Sequence, residues 1–196
     1  ALLQAFPLLK EEAVFIFHKA PLEPEEIRPF GGRAWWPLSV ARLQAAMSDG
    51  DLDYLRNLVP QRLDTARDEL QSLLDDVTAR FGIPFDRIVV GGFSQGAMLA
   101  TDLVLRSSTS PGGLIVYSGT LICGDAWEKF APLRRGLRVI QSHGWQDPIL
   151  PYAAAERLRD MLTGSGLEVT FLPFSGGHAI PPEPLLRTAE MLGSLS

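Results

Sequence analysis

Cysteine is all but missing from the chain: Cys123 stands alone among 196 residues. One thiol forms neither an internal disulfide nor a thiolate-rich metal site, so the fold must rest on its core, and a reducing, cytoplasmic setting is expected. Long apolar runs are missing as well. None approaches the roughly 18 residues that a membrane-spanning helix needs, and the opening ALLQAFPLLKEE has no basic region followed by an apolar stretch and a cleavage site. Basic charge is in deficit. The 18 Lys and Arg against 23 Asp and Glu leave a net charge of −5, with no basic stripe to neutralise a phosphate backbone, which argues against nucleic acid as a partner. Histidine is confined to His18, His143 and His178, so the candidates for a general base are few. What is present is ordinary globular composition, 46% hydrophobic and 21% charged, in a length that suits one domain with a full core.

Along the chain, short apolar runs rich in β-branched and aromatic residues alternate with helical patterns. The runs are Val14–Phe17, Arg87–Val90, Leu114–Tyr117, Leu137–Ile140 and Val169–Leu172, and they read as strands buried on both faces. The clearest helix carries Leu63, Ala66, Leu70, Leu73, Leu74, Val77 and Phe81 on one stripe and stops at Gly82 and Pro84. Others are expected over Gly96–Arg106, Ala153–Leu162 and Pro184–Leu192. Strand and helix taking turns implies right-handed crossovers: an α/β fold with a mostly parallel sheet, helices on both faces, and ligands bound beyond the carboxyl ends of the strands. The proline-rich stretch from Pro21 to Pro37 reads as a long ordered loop within one domain.

Chemistry is therefore sought just after strands. The run ending at Val90 leads into Gly91-Gly92-Phe93-Ser94-Gln95-Gly96, a Gly-x-Ser-x-Gly pattern with a helical pattern behind it. That is the strand, sharp turn and helix context of a nucleophile elbow, where glycines at 92 and 96 let strand and helix approach closely and push Ser94 outwards. The competing reading is a glycine-rich turn with an incidental serine, or a phosphate loop at a helix N-terminus, but no P-loop lysine follows.

A serine hydroxyl needs a base to take its proton. His178, in Ser175-Gly176-Gly177-His178-Ala179 after the last expected strand, falls on the same sheet edge as Ser94. His18 precedes the serine, and His143 sits four positions from the best acid candidate, too close for both roles to be served comfortably. That acid is Asp147, in Ser142-His143-Gly144-Trp145-Gln146-Asp147-Pro148. It satisfies the chain order Ser, Asp or Glu, His used by hydrolases of this architecture. Asp125 and Asp160 lie at or on helices. An aspartate that merely makes a turn ahead of Pro148 is the alternative.

The segments GGFSQGAML, HGWQDPILP and SGGHAIPPE resemble the three catalytic segments of the phospholipase/carboxylesterase family, which includes acyl-protein thioesterases and small bacterial carboxylesterases, and the similarity runs from about Val14 to the C-terminus. The resemblance implies an α/β-hydrolase fold, Ser94, Asp147 and His178 as a catalytic triad, the backbone N–H of Gln95 as one oxyanion-hole donor, and no cofactor or metal. It further implies that Ser118-Gly119 with Leu121 lines an acyl pocket, and that Trp36 and Trp145 lie among the substrate contacts. A small-molecule carboxylic ester, thioester or lysophospholipid is the expected substrate. A peptidase or acyltransferase on the same fold, or a catalytically inactive binding module, are the alternatives.

Two departures from the family stand out. Nothing in residues 1–12 matches the strand and His-Gly loop that supply the other oxyanion donor, so that segment is expected upstream of Ala1. In Leu38 to Pro60, Val40, Leu43 and Met47, then Leu52, Leu55 and Val59, recur at helical spacing around Ser48-Asp49-Gly50. This reads as an inserted helical hairpin, packed as a cap over the site, on the domain's side, or against a second subunit in a homodimer.

Overall fold

In the computed structural model, which describes residues 13–25, 27, 28, 31–37, 45 and 51–195, four strands form one parallel sheet in chain order. They are β1 (Val89–Phe93), β2 (Gly113–Tyr117), β3 (Arg138–Gly144) and β4 (Glu168–Phe174). The register pairs Val89 with Gly113, Leu114 with Val139, and Arg138 with Glu168. Helices fill the crossovers: α1 (Leu52–Asn57) and α2 (Leu63–Phe81) precede the sheet, followed by α3 (Gln95–Arg106), α4 (Gly124–Phe130), α5 (Tyr152–Gly164) and α6 (Pro182–Gly193).

The side-chain alternation of β2 explains why both faces are covered. Leu114 and Val116 join Val90 and Val139 in a large core with Leu99 and Leu103 of α3, Trp127 of α4 and Leu158 and Leu162 of α5. Ile115 and Tyr117 point the other way, to Ile140 and to Met191 of α6. α2 has the expected extent. It stops at Gly82, whose φ of 64° is left-handed and whose N–H closes the last turn on the Thr78 carbonyl.

Three expectations need correction. Val14–Phe17 is no strand: the segment enters none of the sheet's ladders, and Val14 and Phe17 are 55% and 58% exposed. An apolar run becomes a strand only where a neighbouring strand accepts its hydrogen bonds. Val14 and Ile16 instead line, with Val90 and Gly92 of β1 among others, a cavity of about 960 Å³. The strand after Leu137 runs on to Gly144, so Ser142, His143 and Gly144 are strand residues, not loop. Finally, α1 ends at Asn57 and leaves Val59 70% exposed, because a residue ahead of proline is driven out of helical conformation by Pro60. Of the expected hairpin, Val40, Leu43, Met47 and the turn at residues 48–50 lie outside the described residues. α1 itself is fastened to α4 and α5, through Arg56 to Asp125 and Glu128 at 2.9 Å each and Arg157 to Asp53 at 2.6 Å, with Leu55 in the core.

One buried charge ties the helices together. The fully buried carboxylate of Asp102 in α3 accepts from Arg67 of α2 at 2.8 Å, from Arg106 one turn on at 2.9 Å, and from the buried indole Nε1 of Trp127 in α4 at 2.8 Å. Removing Asp102 leaves the buried Trp127 N–H unmatched and strips Arg106 of its carboxylate, while Arg67 keeps its pair with Asp64 at 2.8 Å. Asp102→Ala is therefore expected to lower the unfolding free energy by about 3–5 kcal/mol in urea titration. A loss below about 1 kcal/mol, the usual worth of an exposed ion pair, would contradict this role.

Candidate active site

Strand β1 ends at Phe93 and α3 begins at Gln95, which leaves a single residue, Ser94, to reverse the chain. It does so at φ 55° and ψ −121°, a conformation that costs a non-glycine residue of order 1–3 kcal/mol. The turn is held by the Ser94 N–H donating to the Tyr117 carbonyl at 2.9 Å. A serine at a helix N-cap ordinarily spends its hydroxyl on the first free N–H groups of the helix. Ser94 makes no such bond, so its Oγ stays available for chemistry. The close approach expected of the glycines holds for Gly92, where a Cβ would lie 2.3 Å from the Gly96 carbonyl carbon. It does not hold for Gly96, where a Cβ would meet only Trp35 Nε1 at 3.7 Å. The crowding is one-sided: Gly96 contributes its backbone to the contact.

Asp147 and His178 meet across the ends of β3 and β4. The His178 Nδ1–H donates to Asp147 Oδ2 at 2.7 Å, while Asp147 Oδ1 accepts from the N–H groups of Ile149 and Leu150 at 2.9 Å each. The acid thus makes a turn ahead of Pro148 and orients a histidine at once. The bond to Asp147 engages Nδ1 of His178 and not Nε2. The His178 ring also lies 4.6 Å, centroid to centroid, from that of Phe93, the neighbour of Ser94, which sets it over the elbow. Among the described residues no hydrogen bond yet joins Ser94 Oγ to His178, a looseness common in unliganded sites. Burial alone would raise the Asp147 carboxyl, but the bonds from His178, Leu150 and Ile149 outweigh it and hold the acid below the usual carboxylate range.

The remaining candidates separate. The Gln95 N–H occupies the first helical position, where no intrahelical acceptor exists. Its side chain, which sequence reasoning overlooked, accepts from the Trp35 N–H at 2.9 Å and donates to the Trp36 carbonyl at 3.2 Å, fastening the Trp35-Trp36 loop to the elbow. Trp36, 1% exposed, and Leu121 are packed into the core rather than presented at a surface. Trp145 is 55% exposed in the turn that carries Asp147. His18 stacks on Trp35 at 5.3 Å. His143 is fully buried in β3, with Nε2 2.9 Å from the Leu150 carbonyl and 3.3 Å from Asp147 Oδ2. It sits behind the acid, and its strand position, hidden by the polar run Gln141-Ser142-His143, was the signal missed.

Burial, only partly opposed by the Leu150 carbonyl and Asp147, holds the His143 imidazole below the ordinary histidine range. A histidine depressed in the folded state binds its proton more readily when unfolded, so stability falls as pH drops through its ordinary value of about 6.5. The depressed carboxyl of Asp147 adds stability that is present above about 4 and is lost below it. Urea unfolding between pH 8 and 4 should therefore show a decline beginning near 6.5. In His143→Gln, which keeps an N–H for the Leu150 carbonyl but has no titrating ring, that decline should be shallower. Equal slopes in the two proteins would refute the assignment.

Comparison with known proteins gives the family and the fold. The sequence description of the phospholipase/carboxylesterase family matches residues 4–195. Acyl-protein thioesterase 1 of Eremothecium gossypii is 31% identical over 189 residues, covering 93% of this chain and 74% of that protein. The proteins of the same name from Neurospora crassa and Gibberella zeae are 32% and 29% identical, but the chain spans only about half their length, 44% and 51%. Among solved structures, a variant of Arabidopsis thaliana SOBER1 superposes with a TM-score of 0.75 at 20% identity, covering 99% of this chain and 90% of that one. Esterase PE8 superposes with a TM-score of 0.70 at 24% identity over 90% of this chain and 76% of its own, so both share the α/β-hydrolase fold. With a family match over nearly its whole length and a relative above 30% identity across most of it, the chain belongs to the phospholipase/carboxylesterase family.

Proposed function

We propose that the chain is a serine hydrolase of carboxylic esters, thioesters or lysophospholipids that works through an acyl-enzyme on Ser94, with His178 as general base and Asp147 orienting it. The observation that carries this reading is the 2.7 Å bond from His178 Nδ1 to Asp147 beside an elbow whose serine hydroxyl is uncommitted. As Ser94 Oγ attacks the acyl carbonyl, its proton passes to His178 Nε2, and the imidazolium that forms is stabilised by Asp147. The Gln95 N–H donates to the developing oxyanion. Collapse breaks the bond to the leaving oxygen or sulfur, which takes the proton from His178. A water then gives a proton to His178 and attacks the acyl-serine, and Ser94 regains its proton as the carboxylic acid leaves.

The names of the relatives, acyl-protein thioesterase among them, support esters or thioesters over peptides as substrates. Trp145, exposed beside Asp147, is assigned to the rim that the substrate meets. The reading takes a small-molecule ester as partner and a reducing, cytoplasmic compartment. It is supported by the acidic balance of the chain and by its single cysteine, Cys123. Among the described residues, no helix is long and apolar enough to cross a membrane.

A fluorophosphonate probe should label the wild-type protein and leave Ser94→Ala unlabelled. Toward p-nitrophenyl esters, Ser94→Ala and His178→Ala should each lose about 10⁴-fold or more in kcat, and the double variant should be little worse, because residues acting as one unit are not additive. A wild-type protein that neither labels nor turns over esters would fit an inactive binding module instead.

A further inference from the structure

The turn after β2 touches all three catalytic segments. Tyr117 offers its carbonyl to the Ser94 N–H at 2.9 Å, and Ser118 donates its own N–H to the Ser142 carbonyl at the end of β3 at 2.8 Å. The Ser118 hydroxyl then donates to the carbonyl of Ala179, directly after His178, at 3.2 Å. Ser118 is fully buried and held at φ 48°, in the left-handed region that side chains rarely adopt. Glycine takes that conformation without steric cost. Backbone geometry therefore gives no reason for a serine here, and the hydroxyl is what a glycine would lack.

The His178 loop shows what the hydroxyl is needed for. Between β4 and α6, residues 175–181 form no regular structure. Upstream of His178 the loop is tied to the acid segment by the Gln146 N–H donating to the Gly176 carbonyl at 3.0 Å. Downstream of it, the hydrogen bond that reaches the loop from another element among the described residues is the one from Ser118. Without the Ser118 bond the backbone after His178 would rest on the packing of Ile180 against the Ile115 and Tyr117 cluster alone, and errors of about 1 Å in the placement of a catalytic ring cost up to about 10²-fold in rate.

We propose that Ser118 is a positioning residue for the catalytic histidine: its strained, buried hydroxyl pins the backbone after His178, so that one turn registers nucleophile, acid segment and base against each other. The inference rests on the roles assigned above to Ser94 and His178. It is tested on the full chain with Ser118→Gly, which removes the hydroxyl and relieves the strain, and Ser118→Ala, which removes the hydroxyl alone. In Ser118→Gly, kcat for a p-nitrophenyl ester should fall about 10- to 100-fold and fluorophosphonate labelling should slow in parallel, while KM changes less than about threefold and the melting temperature is unchanged or higher. Ser118→Ala should show the same loss of kcat. A kcat within about twofold of wild type in both variants overturns the proposal, and so does a loss of kcat that comes with a collapse of melting temperature in both, since the hydroxyl would then serve the fold alone. Failure of the wild-type protein to react with the probe would instead strike the reading of Ser94 and His178 on which the proposal stands.

Discussion

Parallel pairing in chain order is the constraint on which the site depends. It sets the carboxyl ends of β1 to β4 on one edge of the sheet, so that the turns after them emerge side by side even though Ser94, Ser118, Asp147 and His178 are far apart in sequence. The ladder also continues past the strands: the Ser94 N–H to Tyr117 and the Ser118 N–H to Ser142 extend the same hydrogen bonding by one step into the turns. The backbone of the first two turns is thereby fixed by hydrogen bonds that side-chain mobility does not loosen.

Precision at that edge has a conformational cost. Among the described residues, three other than glycine have positive φ, Ser94, Ser118 and Cys123, and the first two sit at the ends of adjacent strands. Strain of this kind persists only where the surroundings over-determine it. Here those surroundings are a sheet core filled from both faces and the Asp102 cluster that braces α3 behind the elbow. The acid is treated differently. Asp147 has no positive φ and has three hydrogen-bond donors, so that its charge survives burial between the rings of His178 and His143.

Most of this was legible from residues alone, for identifiable reasons. The stripe of α2 and its stop at Gly82 are local signals that tertiary context had no cause to override. Ser94, Asp147 and His178 were singled out because each follows an apolar run, and the parallel sheet brings the turns that carry them to one edge. What was missed needed knowledge of neighbours. His143 looks like a loop residue because it follows Gln141 and Ser142, yet all three are buried strand residues, and Gln141 is bonded to the Ala155 carbonyl at 2.8 Å. Val14–Phe17 has strand composition but, among the described residues, joins none of the sheet's ladders. Trp36 and Leu121 were expected at the substrate and lie in the core, a distinction that apolar character cannot make.

The one-sided crowding at the elbow bears on how such sites are recognised in other chains. Because the Gly92 Cβ position is occupied by the backbone of Gly96 whereas the Gly96 position is nearly open, the two glycines of Gly-x-Ser-x-Gly do not carry equal information. The first is a steric identity requirement, and the second tolerates alanine on grounds of space. A pattern written with equal weight on both would discard active chains that end in Gly-x-Ser-x-Ala while admitting none that lack the first glycine, so a search weighted by the geometry should relax the last position only.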